Sequence, residues 1–220
     1  MRPLRMSKML YRPSDAPFDA DEWRAFLREH DFGQLIAAGV GRTVPVIIPA
    51  HFVYDGETTI RLHLAKANPI LAALAENPVA VMSVIGAYAY IPTAWNANQG
   101  QPVEYGVPTS YYAAVQLTGT CELIEDHEEL AALLGTQLAH FQSEGGHAPV
   151  TAGETPYGAQ LPSIRGIRLT ISDVQAKFKF GGNKPVEHQR RIADHLQERG
   201  GPLDHEARRH QLRRIERQSS

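Results

Sequence analysis

Residues 44–54, VPVIIPAHFVY, alternate apolar and other side chains with period two, and residues 58–64, TTIRLHL, do the same. Val44, Val46, Ile48, Ala50 and Phe52 share one face, and Ile60, Leu62 and Leu64 share another. That period belongs to half-buried strands. Asp55-Gly56 between the two runs signals a hairpin. A slip of one residue turns every side chain to the opposite face, so burying both sets together puts Ile48 opposite Leu64 and Phe52 opposite Ile60 across a three-residue loop. The other face then carries Ile47, Pro49, His51, Val53, Arg61 and His63. It is too apolar for plain solvent surface, and a homodimer would cover it.

The remaining elements follow from pattern and punctuation. Asp19 and Glu22 form a capping pair ahead of a helix over 19–30, with Trp23, Phe26 and Leu27 at helical spacing. Residues 32–39 read as a short strand, 68–76 as a helix ended by Asn77-Pro78, and 79–86 as a buried strand continuing extended through 87–95. Residues 96–110 read as a loop. Residues 112–124 alternate, with Ala113, Val115, Leu117, Cys121 and Leu123 on one side. A second capped helix covers 126–141, a long Gly/Ser/Pro-rich loop covers 143–163, and 164–180 form a last strand or bent pair of strands. A charged helical tail follows over 186–217. Without βαβ alternation, the fold is mainly antiparallel β with peripheral helices (α+β), best built as a barrel. The division expected is a barrel domain over 9–183 and a tail over 184–220.

At HLAKANP (63–69) a strand hands over to a helix, and His63, Lys66 and Asn68 crowd together. Asn68 is a good N-cap and Pro69 fits the first helical position. The first turn of a helix has unpaired N–H groups and a partial positive charge, and Lys66 adds a full one. Together they make a phosphate cradle, or else a capped helix beside a solvated lysine.

Three ordered blocks carry a resemblance: H-L-A-K-A-N-P (63–69), G-A-Y-A-Y-I-P-T-A-W (86–95) and V-P-T-S-Y-Y-A-A-V-Q-L-T-G (107–119). The chain resembles the PaiB family of FMN-binding negative transcriptional regulators from about Met9 to Gly200. The family forms are close to H-F-A-R-A-N-P, G-P-H-A-Y-I-S-P-S-W-Y and V-P-T-W-N-Y-x-x-V-x-x-x-G. The resemblance implies an FMN-binding split β-barrel related to pyridoxamine-phosphate oxidase and the flavin reductases, a homodimer with FMN at the subunit interface. It implies FMN contacts at His63, Lys66, Asn68, Tyr88, Trp95, Asn183 and Lys184, with the phosphate at the junction of Lys66 and Asn68. It names no catalytic residue and no metal. The chain departs from the family at Tyr88 (His there), at Ser110-Tyr111-Tyr112 (Trp-Asn-Tyr) and at Gly181-Gly182, where K-F-K-F-G-G-N-K-P (177–185) replaces K-W-K-L-S-Q-N-R-P. The last change removes side-chain donors.

Composition narrows the class further. With 43% hydrophobic and 21% charged residues and a net charge of −2, the chain is a globular protein without a global nucleic-acid signature. Its one cysteine, Cys121, excludes an internal disulfide and suits a cytoplasmic location. MRPLRMSKML lacks the apolar stretch of a signal peptide, and no run is apolar enough to span a membrane. Among ten histidines there is no H-E-x-x-H, and those in the tail, His188, His195, His205 and His210, are expected at the surface. His51 and His63 could meet, which makes haem a minor alternative to FMN. Nine Lys/Arg between 184 and 217 give the only local support for DNA, but six interspersed acids favour a salt-bridged helix pair. The resulting expectation is an FMN-dependent redox protein, acting on an unidentified small molecule. The alternative is a transcriptional regulator or ligand sensor without turnover.

Overall fold

A computed structural model of the chain describes residue 9 and residues 12–218. The N-terminal stretch read for a leader lies, but for Met9, outside the described residues. The elements are α1 (Ala20–Glu29), β1 (Phe32–Ala37), β2 (Val46–His51), β3 (Val53–Tyr54), β4 (Thr59–Ala65), α2 (Pro69–Glu76), β5 (Val79–Ile91), α3 (Thr93–Asn96), β6 (Thr109–Ile124), α4 (His127–Phe141), β7 (Ile164–Lys179), α5 (Val186–Arg199) and α6 (Asp204–Gln218). Both expected capping patterns are made. Asp19 Oδ1 accepts from Glu22 N at 3.0 Å while Glu22 Oε2 accepts from Phe18 N at 2.7 Å. Asp126 Oδ1 accepts from the amides of Glu128 and Glu129.

The strands form a seven-stranded antiparallel sheet in the order β2-β1-β5-β6-β7-β4-β3. The chain divides into two compact units. The first holds the described residues up to Trp23, Ile85–Val115 and Gln175 onward; the second holds Arg24–Val84 and Gln116–Val174. β5, β6 and β7 run from one unit into the other. The described residues from Gln175 onward, the tail included, belong to the first unit.

In the second unit the expected hairpin is corrected. Residues 44–54 are two strands, not one. β2 pairs with β1, placing Ile48 opposite Leu35, and only β3 pairs with β4, placing Tyr54 opposite Ile60. The break falls at Phe52, which is fully buried and whose N–H donates to Asp31 O at 2.8 Å. β2 and β3 are the opposite edges of the ladder, yet one residue links them. The sheet of this unit must therefore curl until its edges approach at Phe52, while no ladder closes them. Of the two faces read from the sequence, Ile48, Ala50, Phe52, Ile60 and Leu62 are buried, Val46 and Leu64 are half-buried, and Val44, which precedes β2, is exposed. Asp55 Oδ1 accepts from the amides of Glu57, Thr58 and Thr59, which sets the longer turn. α4 covers Ile124 and Leu161 with Leu130 and Ala131.

β5, which runs from the second unit into the first, changes parity. Ala80, Met82 and Val84 are buried, then both Gly86 and Ala87, then Ala89 and Ile91. Ala87 has φ 54°, a left-handed conformation that a non-glycine residue adopts at a cost. This bulge turns Tyr88 and Tyr90 outward. α5 and α6 pack on each other. They bury Ile192, Leu196, Ala207 and Ile215, and also His188, Gln189, His210, Gln211 and Arg214. His188 and His210 are thus interior, contrary to the surface expectation, whereas His195 remains partly exposed.

Candidate functional site

At the β4–α2 junction, in the second unit, the chain turns through Asn68 N donating to Ala65 O at 2.9 Å. Lys66 N donates to Ser163 O at 2.8 Å. Asn68 is extended and its Oδ1 accepts from Ile70 N at 3.1 Å, with Pro69 opening the helix. The three crowded polar groups then diverge. Asn68 caps α2, Lys66 is exposed, and His63 Nδ1 lies 2.5 Å from Gln137 Oε1 on α4. The junction keeps a full positive charge beside the positive end of α2, the combination that binds a phosphate.

The first unit holds a polar cavity of about 270 Å³. Asn183 and Lys184 line it, together with Arg12, Asp15, Thr109 and Lys179. Lys179 Nζ donates to Thr109 Oγ1 at 2.8 Å. Three cations face one carboxylate here. Asp15 is buried, and its Oδ2 accepts no hydrogen bond among the described residues, with Lys177 Nζ at 4.0 Å. Burial raises the Asp15 carboxyl above its ordinary value, against the pull of Lys177 and Lys179. Asn96 forms part of the wall, donating to Val107 O and accepting from His188 Nε2 at 3.0 Å. His188 Nδ1 in turn accepts from Arg191 at 3.2 Å. Burial, then Lys184 and Arg191, lower the His188 pKa, so the ring is a neutral strut. No sequence pattern marked Asp15, Asn96 or His188, because their partners lie far away in the chain.

Gly181 explains one departure from the family pattern. Its φ is +72°, and a Cβ placed there would sit 2.2 Å from Tyr111 Oη. A serine at 181 is therefore incompatible with Tyr111, and a Cβ at Gly182 would meet Ser14 O at 2.7 Å. Tyr111, where the family carries Asn, fills the space that a side chain at 181 would use. Its hydroxyl is buried beside Gln211 at 3.4 Å, and burial raises its pKa.

Tyr88 and Trp95 lie apart from that cavity's wall. Trp95 stacks on His195 at 4.9 Å and 17°, and the Arg199 guanidinium lies 4.6 Å from its ring. Arg199 also donates to Tyr90 O and bidentately to Asp204 at 2.7 and 2.6 Å. Tyr88 is 51% exposed and lines a shallow apolar groove with Leu203 and Arg199. Within the first unit the structure thus brings Asn183 and Lys184 together, and puts Tyr88 and Trp95 on the side of Arg199.

The donor set fits FMN. Cations suit a phosphate or carbonyl oxygens, and the orphaned Asp15 oxygen suits an N–H or hydroxyl donor. At about 270 Å³ the cavity falls just below the range usual for ligand pockets, roughly 300–1,000 Å³.

Comparison with known proteins agrees. Residues 9–173 match the family model described as "Putative FMN-binding domain". The chain is 24% identical over 187 residues to protease synthase and sporulation protein PAI 2 of Bacillus subtilis (strain 168), covering 84% of this chain and 87% of that one. The FAD- and haem-binding protein of Mycobacterium smegmatis shares the fold at a TM-score of 0.58 and 18% identity, covering 75% and 73% of the two chains. The flavocytochrome Anf3 of Azotobacter vinelandii does so at 0.57 and 19%, covering 75% and 69%. The chain belongs to the PaiB-like FMN-binding family, on a split-barrel fold whose cofactor is FMN.

Proposed function

We propose that the protein is a cytoplasmic, homodimeric, FMN-dependent redox protein acting on a small molecule. The observation that carries this reading is the cavity of the first unit, where Lys179, Lys184 and Arg12 surround a single buried carboxylate with an unused oxygen. FMN, when bound, supplies the hydride or electron transfer. The protein's part is to bind and orient it. In the second unit, Lys66 and the first amides of α2 hold the phosphate. Asn183 and Lys184, in the first unit, remain proposed contacts of the cofactor. Tyr88 and Trp95 remain proposed contacts of the cofactor's aromatic portion. Exposed Ile47 and Pro49 on β2 support pairing with a second copy. A DNA-binding role gains no support from the tail. Arg191 donates to Ala97 O, and Arg214 is buried against Glu22.

Freshly purified protein should be yellow, release FMN on denaturation, bleach with a nicotinamide reductant, and scatter light at twice the chain's 24.3 kDa. Lys66→Ala should remove a charge-assisted contact of about 1.5–3 kcal/mol, a roughly ten- to hundredfold loss of FMN affinity. Riboflavin, without the phosphate, should lose little. Lys184→Ala should weaken both flavins alike. A colourless protein that takes up no FMN overturns the reading; a Lys66→Ala variant that loses FMN and riboflavin equally overturns the phosphate assignment.

A further inference from the structure

The second unit contains a cavity that the flavin chemistry does not use. β2, β4 and α4 line an open hollow of about 390 Å³ between His51, His63, Leu134, Gln137, Leu138 and Phe141. Leu134, Leu138 and Phe141 make one half of the wall, and His51, His63 and Gln137 the other. No lysine, arginine, aspartate or glutamate lines it, so it offers nothing to compensate a charged guest.

The polar groups that are present form a matched pair. An amide oxygen can only accept, so the 2.5 Å contact with Gln137 Oε1 places the proton on His63 Nδ1. In the neutral ring with that proton, Nε2 is the acceptor. Gln137 is 4% exposed, and its Nε2 is buried without a hydrogen-bond partner among the described residues. A buried amide N–H without an acceptor is costly, and interiors rarely leave one unless something else fills the role. The His51 ring sits 5.8 Å from that of His63 and 4.9 Å from that of Phe141, edge to face in both cases. Burial, then His63, lower the His51 pKa, which keeps that wall neutral. A metal ion finds too few ligands, since no group of three or more His, Cys, Asp or Glu among the described residues could hold one.

We propose that this cavity is a second binding site, taking a small uncharged molecule with an apolar ring and an amide or carbonyl head. The head accepts from Gln137 Nε2 and, where it carries an N–H, donates to His63 Nε2; the ring rests on Leu134, Leu138 and Phe141. The volume has room for roughly a one- or two-ring compound. This assigns His63 to the second site, and it does not depend on where FMN sits.

Benzamide is the probe, with toluene as its apolar counterpart. The full FMN-loaded chain is titrated with each while backbone amide shifts are followed by NMR. Wild type should show saturable shifts centred on β4 and α4, with a benzamide dissociation constant at or below about 1 mM. Gln137→Leu should bind benzamide at least about tenfold more weakly, and toluene no more weakly, because only the amide contact is lost. Leu134→Trp should fill the cavity and abolish both while the flavin spectrum stays. Should that variant not fold, Gln137→Leu carries the test alone. Absence of saturable shifts in wild type overturns the proposal. So does equal benzamide affinity in Gln137→Leu, or displacement of FMN by benzamide. Copurified haem whose absorption shifts on His63→Ala also overturns it, because the imidazoles would then belong to iron.

Discussion

Gly181 and Tyr111 are best understood as one change written at two positions. The left-handed backbone at 181 tolerates a side chain poorly, and Tyr111 Oη already occupies the Cβ position. Gly181→Ser should therefore cost about 2–4 kcal/mol through overpacking and backbone strain. Tyr111→Asn alone should also destabilise, by opening a cavity. The double variant should be less destabilised than the two costs added, since Asn frees the space serine needs. Urea denaturation of all four proteins measures the coupling, and strict additivity would refute the linked reading. Such pairs explain what was legible at single residues. The caps by Asn68, Asp19 and Asp126 involve partners two or three residues away and could be read directly. The His63–Gln137 contact spans 74 positions, and His188–Asn96 spans 92, so no local pattern announces them.

Elements were read correctly wherever periodicity was uninterrupted, and misread wherever one residue changes it. Phe52 splits an apparently continuous strand because both parities there are compatible with burial; the switch from β1 to β4 as partner is a property of the sheet, not of the run. Ala87 does the same for β5, and without its bulge Tyr88 and Tyr90 would face inward. The α5–α6 connection was similarly hidden within a charged stretch. Gly200 ends α5 at φ 60°, and Asp204 then takes hydrogen bonds from Gly201 N and from Arg199. The Arg199 hydrogen bonds hold the Asp204 carboxyl below its ordinary 3.8, with Gly201 N assisting against the effect of burial. A lowered carboxylate pKa adds stability above 3.8 that disappears as pH falls through the lower folded value. Asp204→Asn should cost about 1–2 kcal/mol near neutral pH, discounted for the partly exposed arginine. The gap in melting temperature between variant and wild type should close as pH drops below 3.8. A gap that stays constant from neutral pH into that range would show that the ion pair is not its source.

At the scale of the whole chain, antiparallel strands with flanking helices were legible from the alternation of apolar residues, and the tail's place was not. Its composition is that of a solvated helix pair, because the burial it achieves is largely polar. Arg214 lies 3.4 Å from Glu22 and donates to Ala16 O, while Gln211 meets Tyr111 and His188 meets Asn96. A charged residue that will be buried against a distant carboxylate has the same letter as one that will face water. The energetic weight of this packing can be estimated. Ile192, Leu196 and Ile215 are buried, and at about 1.5–3 kcal/mol each they supply roughly 5–9 kcal/mol. That is comparable with the entire net stability of an ordinary domain, about 5–15 kcal/mol. Cutting the chain after Pro185 also removes the cation opposite Glu22, whose carboxyl burial already raises above its usual range. The truncated protein should therefore lose its cooperative melt by calorimetry and bind a hydrophobic dye, even with FMN in excess. A truncated chain that melts cooperatively within a few degrees of the full one would instead make the tail an accessory, and its arginines would then be available to partners.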